Sequence, residues 1–530
     1  MPLTDQTATP PSAWAPLRIT VYRNLWLALL ASNIGTWMQT VGAQWLLVEQ
    51  SGTDTLVAVV QTASTLPIVL LALPSGALAD TFDRRQLLIA VQVFLTAVGA
   101  LLAMLTLTGH MPATLLLTLT FVLGAGQALT APTWQSLIPE LVPRSQLASA
   151  SALGAISMNL ARAVGPAVAG VLIARSGPGV VFGLNTLSFA VFALVLWRWR
   201  PATAPSAGVP ERFAAAVRSG GRYVRHSPVV RRILLRAALF LVPGSALWAL
   251  LPLIASRRLG LDSGGYGVLL AAVGVGAVLG ALLLPRLRAR WSLNRLLLVA
   301  STTFAAVLAG LGLSGSELVV VIILLPAGIA WVMVLSSVNA AMQLFLPNWV
   351  RARGLAVYQM VFAGAQAGGA LAWGVLSDLW GLIPAHLTAA AMMLAGAVTL
   401  RWWPMRDTSG LNREPAVYWP EPHLERDPDD HAGPVLVLAD YPVSPANEAA
   451  FVEAMEAVRR GRLRTGAVRW GLFHDGERPG RIVEAYVVPT WDEHLRQHTG
   501  RLTGADQEAE QRALALTDGP AEVSHLLSAR

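Results

Sequence analysis

Residues 76–85 read Gly76-Ala77-Leu78-Ala79-Asp80-Thr81-Phe82-Asp83-Arg84-Arg85, and they join an apolar run over 55–79 to another over 86–108. A bilayer's hydrocarbon core takes about 20 apolar residues of helix, because only a backbone with all its hydrogen bonds made can cross it. Both runs are that long. The junction gathers two acids and two arginines at its end and offers a glycine where the chain must turn. It reads as the loop between two membrane spans.

Working outward, further apolar runs cover 25–48, 112–136, 149–174 and 180–197, then 233–255, 264–284, 296–313, 318–342, 354–377 and 382–400. Twelve spans are therefore expected, with turns marked by Ser51-Gly52, Gly109, Gly177-Pro178 and Gly381. Only 13% of the 530 residues are charged, against about 25% in a soluble chain. All 39 basic residues are arginine, and they divide unevenly. Residues 1–401 hold 25 arginines and 10 acids, 25 − 10 = +15, while 402–530 hold 14 and 21, 14 − 21 = −7, summing to the overall +8. Arg18, Arg23, Arg84, Arg85, Arg144, the run from Arg198 to Arg236, Arg286, Arg288, Arg290, Arg295, Arg351, Arg353 and Arg401 fall on one side of the expected membrane. Opposite them stand Arg175, Arg257 and Arg258 with Glu49, Asp54, Asp262, Glu317 and Asp378. Arginine marks the cytoplasmic side. Both termini are thus expected in the cytoplasm of a bacterial-type inner membrane, with Arg257 and Arg258 as exceptions.

The basic charge is a topology signal, and no groove-reading motif accompanies it, so no nucleic-acid partner is expected. The chain has no cysteine, which excludes disulfides and thiol chemistry. Residues 1–23 carry no short apolar core with a cleavage site, so no cleaved leader is expected there. The two halves repeat: Gly76 and Gly280, Gly170 and Gly374, and Gly177 and Gly381 are each 204 apart. The expected organisation is a tail (1–23), a six-helix bundle (24–198), a central loop (199–229), a second six-helix bundle (230–401), a linker (402–434) and a soluble domain (435–530).

The stretch from Gly76 to Arg85 resembles the loop signature G-x-L-x-D-x-x-x-R-R of the major facilitator superfamily, with Asp83 where many members have a second glycine. The resemblance implies that Gly76, Asp80, Arg84 and Arg85 form a gate latching the inside-closed state. The plain alternative is a stop-transfer cluster. In span five, Asn159-Leu160-Ala161-Arg162-Ala163-Val164-Gly165-Pro166-Ala167-Val168-Ala169-Gly170 resembles the antiporter signature G-P-x-x-G-G, with Ala169 replacing its first closing glycine. That implies a conformational role for Gly165, Pro166 and Gly170. The alternative is ordinary close packing, with Gly276 and Gly280 of span eight as a facing surface. Together these stretches are similar to the enterobactin-exporter and macrolide-efflux branch, the transmembrane secretion effector family. Relatives' fourth-span arginine, tied to proton coupling, is Thr120 here, so coupling protons stay an open partner.

Polar side chains inside spans are costly and mark solute paths. Asn33, Trp37, Thr40 and Gln44 share one face of span one, and Gln127 and Trp134 share one of span four. Gln61, Asn159, Arg162, Asn339, Gln343, Gln359 and Gln366 complete a candidate cavity. The alternative for each is a bond between helices that no solute touches. Arg162 is the one charge deep in a span, and no acid accompanies it there. An uncharged or anionic amphipathic substrate fits that set better than a cation.

Beyond residue 402 the pattern turns polar. Residues 435–442 read as a strand, and Ser444-Pro445 as the start of a helix to about residue 464. Residues 468–474 and 482–488 read as a hairpin around Asp475-Gly476, Thr490-Trp491-Asp492-Glu493 as a helix cap, and 521–527 as a last strand. This β-α-β-β-α-β order resembles ferredoxin-like domains of the antibiotic-biosynthesis-monooxygenase type, which implies self-association through the sheet. His494 and His498 have a metal-compatible spacing, but no third ligand stands out, so no metal and no cofactor is expected. The leading expectation is a non-enzymatic exporter of a small amphipathic molecule. Uptake on the same fold, and an anchored enzyme or sensor, are the alternatives.

Overall fold

A computed structural model describes residues 14–50, 53–200, 213–406, 408, 410–414, 416–419 and 433–528. The chain divides into two compact units. The first joins Met1–Pro210, Arg236–Val338 and Gln359–Pro404, and the second joins Glu211–Leu235, Asn339–Tyr358 and Met405–Arg530.

In chain order the first helices are α1 (Thr20–Gln50), α2 (Asp54–Thr81), α3 (Arg84–Leu107), α4 (Ala113–Leu141), α5 (Leu147–Ser176) and α6 (Pro178–Arg198). After α7 (Phe213–His226) come α8 (Pro228–Leu253), α9 (Ser263–Arg290), α10 (Leu293–Leu313), α11 (Glu317–Phe345), α12 (Asn348–Trp380) and α13 (Leu382–Val398). Eleven helices of the described residues are long and apolar enough to cross a membrane. The twelfth expected span, α1, is a continuous 31-residue helix packed on α5 and α6. It is less apolar than the others because Asn33, Thr36, Gln39, Thr40 and Gln44 lie along it.

Local chemistry sets the helix ends. Asp83 accepts the Gln86 N–H at 2.8 Å and Asp262 accepts the Gly265 N–H at 2.9 Å, each opening a helix. Gly177 (φ 77°) and Gly381 (φ 91°) take the left-handed region immediately before α6 and α13. The two glycines that the repeat aligns thus make the same turn. One apolar core of the first unit gathers Tyr22, Leu25 and Trp26 of α1, Leu88 of α3, Trp134 and Leu137 of α4, Leu153 of α5 and Phe192 of α6.

The second unit holds a four-stranded antiparallel sheet of β1 (Val435–Pro442), β2 (Arg469–His474), β3 (Arg481–Val488) and β4 (Glu522–Leu527), in the order β2-β3-β1-β4. With α14 (Glu448–Thr465), α15 (Trp491–Arg496) and α16 (Gly504–Leu514), this is the expected ferredoxin-like arrangement. Phe451, Met455 and Val458 lie buried along α14 against Tyr441 and Ile482. Ser444-Pro445 does not start that helix. A turn closed by Asn447 N–H to Ser444 O (3.0 Å) comes first, and α14 begins at Glu448. Thr490 accepts the Glu493 N–H at 3.3 Å as expected. The reciprocal capping box lies at Thr503 and Asp506, opening α16.

Two segments read as connectors are built into this unit. Ala416 N–H reaches Leu502 O (3.0 Å), Gly504 N–H reaches Glu414 O (3.1 Å), and Ala505 N–H reaches Asn412 O (2.8 Å). Part of the expected linker is therefore fastened to the domain. The central loop contributes α7, whose Arg222 pairs with Glu493 at 2.6 Å and whose Tyr223 meets Trp349 edge-on at 5.7 Å. Within the domain, Arg462 is buried between Glu484 (3.1 Å) and Glu510 (2.9 Å) and lies 4.4 Å from the Trp419 ring. Burial alone would raise the Glu510 carboxyl, but Arg462 and the Tyr418 and Trp419 donors hold it below the usual glutamate range.

Candidate functional site

The α1 polar face is used unevenly. Asn33 Nδ2 donates to Ser157 Oγ of α5 at 3.2 Å, and Gln127 Nε2 of α4 donates to Thr36 Oγ1 at 3.3 Å. The Thr40 hydroxyl donates to Thr36 O within its own helix at 3.1 Å. Gln44 is consumed by the other half: its Nε2 donates to Trp248 O of α8 (3.0 Å), and its Oε1 accepts the Tyr266 hydroxyl of α9 (2.8 Å). Gln61 of α2 likewise donates to Gln366 Oε1 of α12 at 3.2 Å.

Trp37 is different. Its ring lies 5.4 Å from the Arg162 guanidinium carbon and 5.9 Å from the Trp248 ring. Arg162, halfway along α5, leaves its buried Nε without a hydrogen-bond partner among the described residues. Trp37, Arg162 and Trp248 bring a cation and two indoles together where α1, α5 and α8 meet.

Several expected cavity residues go elsewhere. Trp134 is buried in the apolar core beside Phe192, ring centroids 6.1 Å apart, so it packs rather than lines a path. Its indole is large enough that burial against four helices outweighs the polar handle. Asn339 and Gln343 belong to the second unit, where Gln343 Nε2 donates to Asn339 Oδ1 at 3.1 Å. Asn159 and Gln359 are exposed, which neither puts them on a solute path nor takes them off one.

The span-five motif is a packing surface. A Cβ on Gly165 would lie 2.7 Å from Trp37 Cβ, and one on Gly170 would lie 2.6 Å from Gly267 Cα of α9. Pro166 is buried between them. Gly276 and Gly280, expected to face α5, press instead on Leu325 and Ile329 of α11. The cause is helical phase: nine positions separate Gly267 from Gly276, which is half a turn around the helix at about 3.6 residues per turn. The repeat reproduces this joint, since a Cβ on Gly374 of α12 would lie 2.6 Å from Ala58 Cβ of α2.

Beside that second joint is a polar lock that sequence reading missed. Asp378 of α12 accepts the Asp54 N–H at 2.7 Å, the Thr55 N–H at 3.0 Å and the Thr55 hydroxyl. The Asp54 carboxylate accepts the Ser377 hydroxyl at 2.6 Å and pairs with Arg257. Arg257 and Arg258, the expected exceptions to the arginine bias, each have a local partner. Arg258 caps the end of α10 through Ser314 O (2.7 Å) and Leu313 O (2.8 Å). Of the loop signature, Gly76 and Asp80 fall within the last turns of α2 rather than in a loop, and the Asp80 side chain lies outside the described residues. Arg84 pairs with Glu140 at 2.7 Å, and Arg85 caps α6 through Leu196 O (3.0 Å) and Trp197 O (2.8 Å).

Two sextets of helices meeting at paired glycine joints, with a tryptophan–arginine cluster between them, define a multi-pass membrane transporter of the major facilitator type. The chain belongs to the transmembrane secretion effector family, whose model matches residues 11–530. It is 22% identical over 287 residues to the staphyloferrin A transporter of Staphylococcus aureus, covering 52% of this chain and 70% of that one. It is 24% identical over 393 residues to the multidrug efflux pump Tap of Mycolicibacterium fortuitum, covering 70% and 93%. The fold is shared with the nucleoside transporter NupG at TM-score 0.60 and 10% identity, over 72% of this chain and 99% of that chain. A bacterial homologue of the lysosomal transporter Spinster gives TM-score 0.56 and 17% identity, over 73% and 96%.

Proposed function

We propose that this transporter exports a small amphipathic molecule, uncharged or anionic, by alternating access. The observation that carries the reading is Arg162: a guanidinium at mid-helix beside Trp37, with a buried Nε that no described residue satisfies. A cation there calls for an anionic or acceptor-rich partner, and the two indoles offer an apolar face to the same solute. A relative named as a multidrug efflux pump supports outward transport over uptake. Both termini lie in the cytoplasm, so the Asp54–Asp378 lock closes the outer end. Rocking of one half about the glycine joints opens it. Any coupling ion acts by binding one of the two states more tightly. The C-terminal domain is non-enzymatic and self-associates through the outer face of its sheet, where Phe473 and Leu526 are exposed.

The test is solute efflux from cells and uptake into inverted vesicles, for wild type and Arg162→Ala, at two imposed pH gradients. Efflux that drops at least about tenfold in Arg162→Ala supports the reading. Unchanged efflux of every solute overturns it, and accumulation in intact cells would favour uptake.

A further inference from the structure

Three imidazoles meet in the second unit. His494 on α15 and His498 one turn later carry the spacing already noted, and His525 joins them from β4. Sequence reading missed the third because it lies 525 − 498 = 27 residues on, in the last strand. His525 pairs with Val437 across the sheet, on the face where Val435, Val437 and Trp491 are buried together. One nitrogen from each ring lies within 4.8 Å of the others, and His494 Nε2 faces His498 Nε2 at 3.2 Å.

The hydrogen bonds around His494 decide which of its nitrogens carries the proton. Gln497 Nε2 donates to Thr465 Oγ1 at 3.0 Å, so its amide oxygen is the end that meets His494 Nδ1 at 3.3 Å. That oxygen accepts from Nδ1–H, which leaves the Nε2 lone pair aimed at the cluster. A histidine ligand oriented by a hydrogen bond on its other nitrogen is the usual support of a metal site. The spacing fits too. Nitrogens bound to a tetrahedral ion at about 2.0–2.1 Å stand roughly 3.3 Å apart, close to the 3.2 Å between His494 and His498. His525 is only half-buried on an edge strand, so its ring can close the remaining gap by rotation. Trp491 lies 5.3 Å from His494 and 5.9 Å from His525, and Trp419 lies 4.8 Å from His498. These rings wall the cluster with apolar surface.

We propose that His494, His498 and His525 form a site for a divalent transition metal, bound by three imidazole nitrogens with water as the fourth ligand. An all-nitrogen set suits zinc, cobalt, nickel or copper, and not magnesium or calcium, which take oxygen. The ion would tie the last strand to α15, whose Glu493 holds Arg222 of α7 and lies 3.7 Å from Arg501. The ordinary alternative is a bare histidine–histidine hydrogen bond.

The experiment uses the untagged full-length chain in detergent, stripped with chelator and titrated with cobalt(II) chloride while visible absorbance and circular dichroism are recorded. One cobalt per chain with the intense bands of four-coordinate cobalt is expected, and zinc(II) should displace it. His525→Ala and His498→Ala, each checked for native circular dichroism, should weaken binding by at least about tenfold. His474→Ala, whose ring is exposed on β2, should bind as wild type does. Wild-type protein that gives no four-coordinate spectrum overturns the site, as does unchanged affinity in a folded His525→Ala.

Discussion

Asp378 caps a helix from the other half of the molecule: its carboxylate accepts the backbone N–H groups of Asp54 and Thr55 at 2.7 and 3.0 Å, where α2 begins. A carboxylate at a helix N-terminus is favoured both by the free N–H donors and by the helix dipole. Because α12 supplies the carboxylate and α2 the helix, the cap exists only while the halves are together at this end. It therefore biases one conformation of a two-state transporter.

Asp378→Asn keeps the shape but weakens the charge-assisted bonds, by about 1 kcal/mol or more. The chain has no cysteine, so a single Thr40→Cys can report access without background. Labelling of Thr40→Cys by an impermeant reagent added outside whole cells should quicken about fivefold or more in the Asp378→Asn background. An unchanged rate would mean that the cap does not bias opening.

The glycine joint allows no side chain. Gly170→Val places branched carbon where the Gly267 backbone lies 2.6 Å away. Overpacking of this kind costs about 1–3 kcal/mol. Here it should act on the joint: transport falls while the protein still inserts and reaches normal levels in the membrane. Gly154→Ala, where a Cβ would meet nothing within 4 Å, is the control and should transport normally.

The two tryptophans expected to share a role should part company. Trp134→Ala removes a core side chain and should lower thermal stability in detergent by about 3–5 kcal/mol. Trp37→Ala should alter solute selectivity and KM, with a smaller change in stability. Thermal melts and transport kinetics on both variants check this, and equal loss of stability would return Trp37 to a packing role.

Acid should loosen the C-terminal domain. Glu510 has its folded carboxyl pKa held below the unfolded value by Arg462. Its contribution is thus fully present above the ordinary glutamate value of about 4.3 and is lost as pH falls through the lower, folded one. Hydrogen exchange of the β1 and β3 amides should show the domain's stability falling below about pH 4. In Glu510→Gln that part of the slope should shrink. Removing Glu484 instead leaves Arg462 half-paired and buried, and Glu484→Ala should cost about 3–5 kcal/mol.

Length and spacing of apolar runs, arginine bias, the 204-residue repeat and the turns at Gly177 and Gly381 were all open to reading along the chain. Each rests on local physics: one helix's length against one bilayer's thickness, or one glycine's backbone freedom. The hairpin at Asp475 and the succession of strands and helices along the C-terminal domain were legible for the same reason, while the order of strands in the sheet was implied only by the resemblance. Phase and partnership were not. Gly267 rather than Gly276 meets α5 because of half a helical turn, and Trp134 enters the core because α3 and α6 close over it. Asp378 finds α2 across 324 residues, and His525 finds His494 across 31. A periodic pattern says which residues share a face but never which face looks back at them, since that depends on every other helix packing at once.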